Sequence, residues 1–139
     1  AHIENDLRWL EQRVGLSRAG RAYAWRSLLR SGATVALGPD WPVESPDPLR
    51  GVASAAWDRG GLGADEALTV AEALAAYTRG SALAGGVADQ RGLLRAGHLA
   101  DFVVLSADPT TMPPGRIASG VRVRRTIVGG ESVFRVDDV

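Results

Sequence analysis

The chain has 139 residues, 16 cationic and 16 anionic side chains, and no cysteine. Zero net charge argues against a nucleic-acid or anionic-membrane surface, and the missing thiols exclude disulfides, thiolate metal sites and cysteine nucleophiles. Every cationic residue is arginine, which also excludes Schiff-base and P-loop lysine chemistry.

No apolar run approaches the ~18 residues a membrane span needs. The opening His2-Ile3-Glu4-Asn5-Asp6 carries acids and no apolar core, unlike a signal peptide. We therefore place the chain in the cytoplasm, and its abrupt start reads as the tail of something longer.

Asp6 to Arg13 is a short helical candidate, with Leu7, Leu10 and Val14 on one face. Ser17 can cap a second helix running to about Ser31, in which Ala22, Trp25, Leu28 and Leu29 share a face and Gly32 is the stop. Ala33-Thr34-Val35-Ala36-Leu37 then forms a short apolar run, as expected of a strand buried on both faces. Helix, glycine, buried strand, loop is half of a parallel α/β unit.

Pro39, Pro42, Pro46 and Pro48 make the next stretch a rigid loop. A helix is predicted over Leu49 to Trp57, followed by a flexible connector at Gly60, Gly61 and Gly63. Thr69 and Glu72 have capping-box spacing ahead of Val70, Ala73, Leu74 and Tyr77. A further short helix covers Ser81 to Ala84 and ends at Gly85-Gly86. Strands are predicted at Phe102–Leu105, Val121–Val128 and Glu131–Val136, the last two joined by a Gly129-Gly130 hairpin turn. Residues 1–88 thus read as α/β, and residues 89–139 as antiparallel β. Arg122 and Arg124 alternate with Val121 and Val123, which places the arginines on a solvent face.

Five stretches in order carry a resemblance. They are Arg21 to Leu29 with Gly32; Gly38-Pro39-Asp40-Trp41-Pro42-Val43-Glu44; Pro46 to Gly51; Leu68 to Thr78; and Gly92 to Leu105. A closing stretch, Thr126 to Val133, extends the match. Together they resemble the C-terminal portion of the amidohydrolase-3-like group in the TIM-barrel amidohydrolase superfamily. A whole barrel takes about 250 residues, so the resemblance implies only a piece: strands seven and eight with the following helices, plus part of a small β-sandwich.

The resemblance also implies a metal-dependent hydrolase of C–N bonds in linear or cyclic amides. It would carry one or two divalent metals, zinc being usual, and act on a small-molecule substrate. Asp40 matches the aspartate after strand eight, which binds metal and helps activate water. The group's histidine ligands and bridging lysine come from earlier strands, so only Asp40 falls in this chain. His2 matches a pocket-lining histidine after strand seven, though by itself it reads equally as an exposed terminal histidine. Trp41 reads either as a wall of the substrate pocket or as packing beneath its loop. His98, in the exit loop, is expected at the surface, and Asp101 is expected to fix the turn into the Phe102 strand. One departure from the pattern is Pro39, where the group usually has serine; proline removes a backbone N–H and fixes φ.

Two functions follow. The first is a fragment of such a hydrolase, without turnover when isolated, which needs its missing N-terminal portion. The alternative is a non-enzymatic α+β module that forms homo-oligomers through exposed sheet edges.

Overall fold

The computed structural model describes residues 2–58 and 63–136. The predicted connector glycines Gly60 and Gly61 lie outside the described residues.

Short helices open the chain: α1 (His2–Asp6), α2 (Leu10–Val14), α3 (Leu16–Ala19) and α4 (Trp25–Arg30). The continuous helix expected from Ser17 to Ser31 is therefore broken between α3 and α4. The cause is tertiary. Tyr23 adopts a left-handed φ of 56°, donates its hydroxyl hydrogen to Asp6 and meets Trp25 edge-on with ring centroids 5.5 Å apart. These contacts outweigh the modest helix propensity of the segment.

Helix α5 (Pro48–Ala56) begins as its sequence dictates. Pro48 sits in the first turn, and the Asp47 carboxylate accepts from the Leu49 N–H at 2.9 Å. Its residues 51–56 are all buried, because small side chains let helices approach from several directions. The core gathers around it: Val52, Ala55, Leu68, Ala73, Ile117 and Val121 form one cluster.

The capping box at Thr69 is present in both directions. Thr69 N–H donates to Glu72 at 2.7 Å, and Glu72 N–H donates to the Thr69 hydroxyl at 3.2 Å. Helix α6 (Val70–Ala75) runs through one π-helical turn, Ala76–Gly80, into α7 (Ser81–Ala84).

Arg26 of α4 reaches the same cap, donating to the Ala67 carbonyl and pairing with Glu72. That guanidinium, helped by Thr69, holds the Glu72 carboxyl at about 2, against an ordinary 4.5. The folded value lies below the unfolded one, so the contribution is whole above about pH 4.5 and is lost as the pH falls toward 2. Glu72 is 35% exposed, so screening trims its worth to about 1 kcal/mol. Glu72→Gln is expected to cost about that much at pH 7 and nearly nothing at pH 2, measured by urea unfolding at both values.

The C-terminal sheet is antiparallel in the order β1 (Phe102–Leu105), β2 (Val123–Val128), β3 (Glu131–Arg135). Gly129 and Gly130 have φ of 59° and 86°, which a two-residue primed turn demands and glycine supplies without strain. Between β1 and β2 lies α8 (Pro114–Gly120), an element not predicted from sequence. It packs on α5 through Ile117.

The predicted strand at 33–37 needs correcting. The segment is neither helix nor strand, and among the described residues no strand pairs with it. Its backbone bonds go to helices instead: Ala33 N–H to the Leu28 carbonyl, Leu37 N–H to the Ala76 carbonyl, and Ser81 Oγ–H to the Leu37 carbonyl. A strand is defined by its neighbours, and none is present among the described residues.

Candidate functional site

Asp40 sits just beyond this segment, where the chain turns. Its φ is 56°, a conformation aspartate tolerates better than most residues. Its carbonyl accepts from the Val43 N–H at 2.9 Å, and the Trp41–Pro42 peptide that follows is cis. The carboxylate is largely exposed, and its Oδ2 lies 3.4 Å from His2 Nε2. The structure thus joins two of the three residues singled out from sequence, 38 positions apart.

Helix α1 is held against this loop by further polar contacts. Asn5 donates to Glu44 at 2.7 Å. Glu4 accepts from Arg50 at 2.9 Å and from the buried Ser54 hydroxyl. Burial raises the Glu4 carboxyl, but the bonds from Ser54 and Arg50 prevail and leave it below its ordinary value. These contacts position His2 beside Asp40.

Trp41, the third residue, is 67% exposed, so it does not pack beneath the loop. His98 departs from its expected surface position. It is half-buried, its Nε2 accepts from Arg95 at 2.6 Å, and its buried Nδ1 has no partner among the described residues. Asp101 acts structurally, as expected: it accepts from the Gly129 N–H at 2.7 Å and pairs with Arg91 at 3.3 Å, tying the hairpin turn to the start of β1.

A cavity of about 240 Å³ adjoins the pair, with His2, Tyr23, Trp25, Leu37, Gly51 and Tyr77 among its walls. Sequence reasoning assigned no role to Tyr23 or Tyr77. One signal was available: Gly51 lies inside a helix, where glycine is about 1 kcal/mol worse than alanine and so points to a close approach. A Cβ at Gly51 would overlap the Tyr77 hydroxyl.

Among the described residues no group of three or more histidine, aspartate or glutamate side chains is arranged to hold a metal ion. A catalytic zinc needs three protein ligands and a water, so His2 and Asp40 alone do not fit one. Nor is any helix of the described residues long and apolar enough to cross a membrane.

Comparison with known proteins places these features. A sequence model of the amidohydrolase family matches residues 1–134. The chain is 33% identical over 139 residues to a putative amidohydrolase, YtcJ, of Bacillus subtilis, covering 95% of this chain and 26% of that protein. It is 37% identical over 109 residues to the N-substituted formamide deformylase of Arthrobacter pascens, covering 76% of this chain and 20% of the relative. Its fold superposes on an uncharacterized metal-dependent hydrolase from Pyrococcus horikoshii OT3 with a TM-score of 0.70 and 32% identity, over 78% of this chain and 23% of that one. The chain spans about a quarter of the length of the relatives it matches. By its sequence along nearly its whole length, and by its fold, the chain belongs to the amidohydrolase family.

Proposed function

We propose that this chain is the C-terminal part of a metal-dependent hydrolase that cleaves C–N bonds of small linear or cyclic amides in the cytoplasm. The observation that carries the reading is Asp40, just past an apolar segment and 3.4 Å from His2. A carboxylate just past the C-terminal end of a barrel strand is where this architecture keeps its chemistry. In this reading residues 33–37 are strand eight of a TIM barrel. Strand neighbours for them would come from the rest of the protein, and residues 89–139 would belong to the small β-sandwich. The name of the Arthrobacter relative, a deformylase of N-substituted formamides, supports a C–N substrate.

In this reading Asp40 would be one ligand of a divalent metal, zinc, with the other ligands supplied by the rest of the protein. Zinc lowers the pKa of a bound water and polarises a carbonyl. What this chain would supply is an exposed carboxylate, paired with His2, that could accept a proton. His2 holds that carboxylate in place. Among the described residues there is no complete ligand set, and we expect no turnover from the isolated chain.

The test is calorimetric zinc titration of the chain before and after complementation with the preceding three-quarters of a relative such as YtcJ, with Asp40→Ala as control. One-to-one binding that appears on complementation and is lost in Asp40→Ala is the expected result. Equal binding by the variant would overturn Asp40 as ligand.

A second reading is a self-associating module without catalysis. It is favoured by the sheet, where the cross-strand partners Val103, Thr126 and Phe134 share a face. Val103 and Phe134 are each about half exposed on it. Zinc-independent dimers in sedimentation, with no gain on complementation, would support this reading instead.

A further inference from the structure

The cavity beside His2 has walls of two kinds. Trp25 and Tyr23 present aromatic surface fixed by their edge-to-face contact. Leu37 and the bare backbone of Gly51 also line the space. The lining is nearly half polar, with the His2 imidazole and the Tyr23 hydroxyl on it, and the Tyr77 hydroxyl, seated over Gly51, is the polar group at its inner side. Burial, reinforced by the negative charge of Asp47, raises the Tyr77 phenol above its ordinary value. It therefore stays protonated at neutral pH and remains a donor.

Size and position narrow the occupant. Ligand sites commonly run from about 300 to 1,000 Å³, so a cavity of about 240 Å³ takes part of a substrate, not the whole. An enclosed apolar cavity of about 150 Å³ accepts benzene, so by volume alone this hollow holds one ring with a short substituent. The cavity wall includes His2, which contacts Asp40. A group seated inside would therefore extend from a bond held near the carboxylate.

We propose that this cavity is a specificity subsite for a single-ring substituent of the substrate, with Tyr77 donating a hydrogen bond to an acceptor next to that ring. The proposal rests on the reading of Asp40 as the reacting end of the site. Tyr77 here selects the substrate and takes no part in the chemistry. An acceptor-bearing ring replaces the hydroxyl's bond to water, whereas a plain hydrocarbon ring displaces that water and offers no bond in return.

The experiment uses the 139-residue chain with chelator present, so that its outcome is independent of any metal. Benzamide and toluene are titrated separately, followed by saturation-transfer NMR, against the wild type and Tyr77→Phe. Phenylalanine keeps the ring and removes only the hydroxyl. We expect the wild type to bind both rings in the millimolar range or tighter. Tyr77→Phe should weaken benzamide about three- to tenfold, as for one lost hydrogen bond, and leave toluene within twofold. Gly51→Ala, which pushes Tyr77 aside, should weaken both. Absence of ring binding by the wild type would overturn the subsite. An equal change for both ligands in Tyr77→Phe would overturn the donor role. A failed zinc titration removes the metal reading but leaves these results standing, so the two failures are distinguishable.

Discussion

Gly80→Ala is expected to destabilise the chain by about 2–3 kcal/mol, the range for overpacking a site that cannot give. The sign is the informative part. In an exposed helix the same change stabilises by about 1 kcal/mol, because alanine is the better helix former. Here a Cβ would overlap the Val35 carbonyl oxygen and lie 3.3 Å from the Ala36 Cα. Both are backbone atoms, so no rotamer change relieves the clash. Gly115→Ala, in α8 with open space around it, is the control and should be neutral or slightly stabilising. Urea midpoints of the two variants settle the matter, and equal midpoints would show that the 33–37 segment does not rest on Gly80. Because that segment leads into Asp40, Gly80→Ala should also loosen the His2–Asp40 contact, visible as a change in the His2 imidazole resonances.

The second large effect is expected at Ile117. Its side chain is completely buried and joins α8 to Val52 and Ala55 of α5. Ile117→Ala should cost about 3 kcal/mol, and Ile117→Val about 1 kcal/mol, the difference reflecting the cavity left behind. Single domains are stable by only about 5–15 kcal/mol, so the alanine variant loses a large fraction of its margin. Hydrogen exchange gives the local readout. The Val121 N–H donates to the Ile117 carbonyl at 2.9 Å, and its protection should fall with α8. If the alanine variant unfolds at the wild-type urea concentration, α8 does not share the core of α5.

The elements legible from sequence are those governed by neighbours in the chain. The Thr69–Glu72 box, the Asp47-Pro48 start of α5 and the Gly129-Gly130 turn each satisfy backbone groups within a few residues. Such bonds need no knowledge of the rest of the fold. The break at Tyr23 was hidden because its causes, Asp6 and the Trp25 ring, act through space. Helix α8 was hidden for a related reason. Its only large apolar side chain is Ile117, which gives no periodicity to read. Residues 33–37 have the composition of a buried strand but no partner strand among the described residues, and pairing is a property of two segments.

The site divides along the same line. Sequence alone determined the family resemblance and singled out Asp40, since a motif is a local string of residues. It also determined what chemistry is closed to the chain, through the absence of cysteine and lysine. Only the tertiary structure brought His2 to Asp40 and opened an aromatic cavity next to them, by docking α1 on the loop and setting Tyr77 over Gly51. Those contacts join residues 26 to 38 positions apart, and their energy depends on a packing geometry that no local pattern encodes.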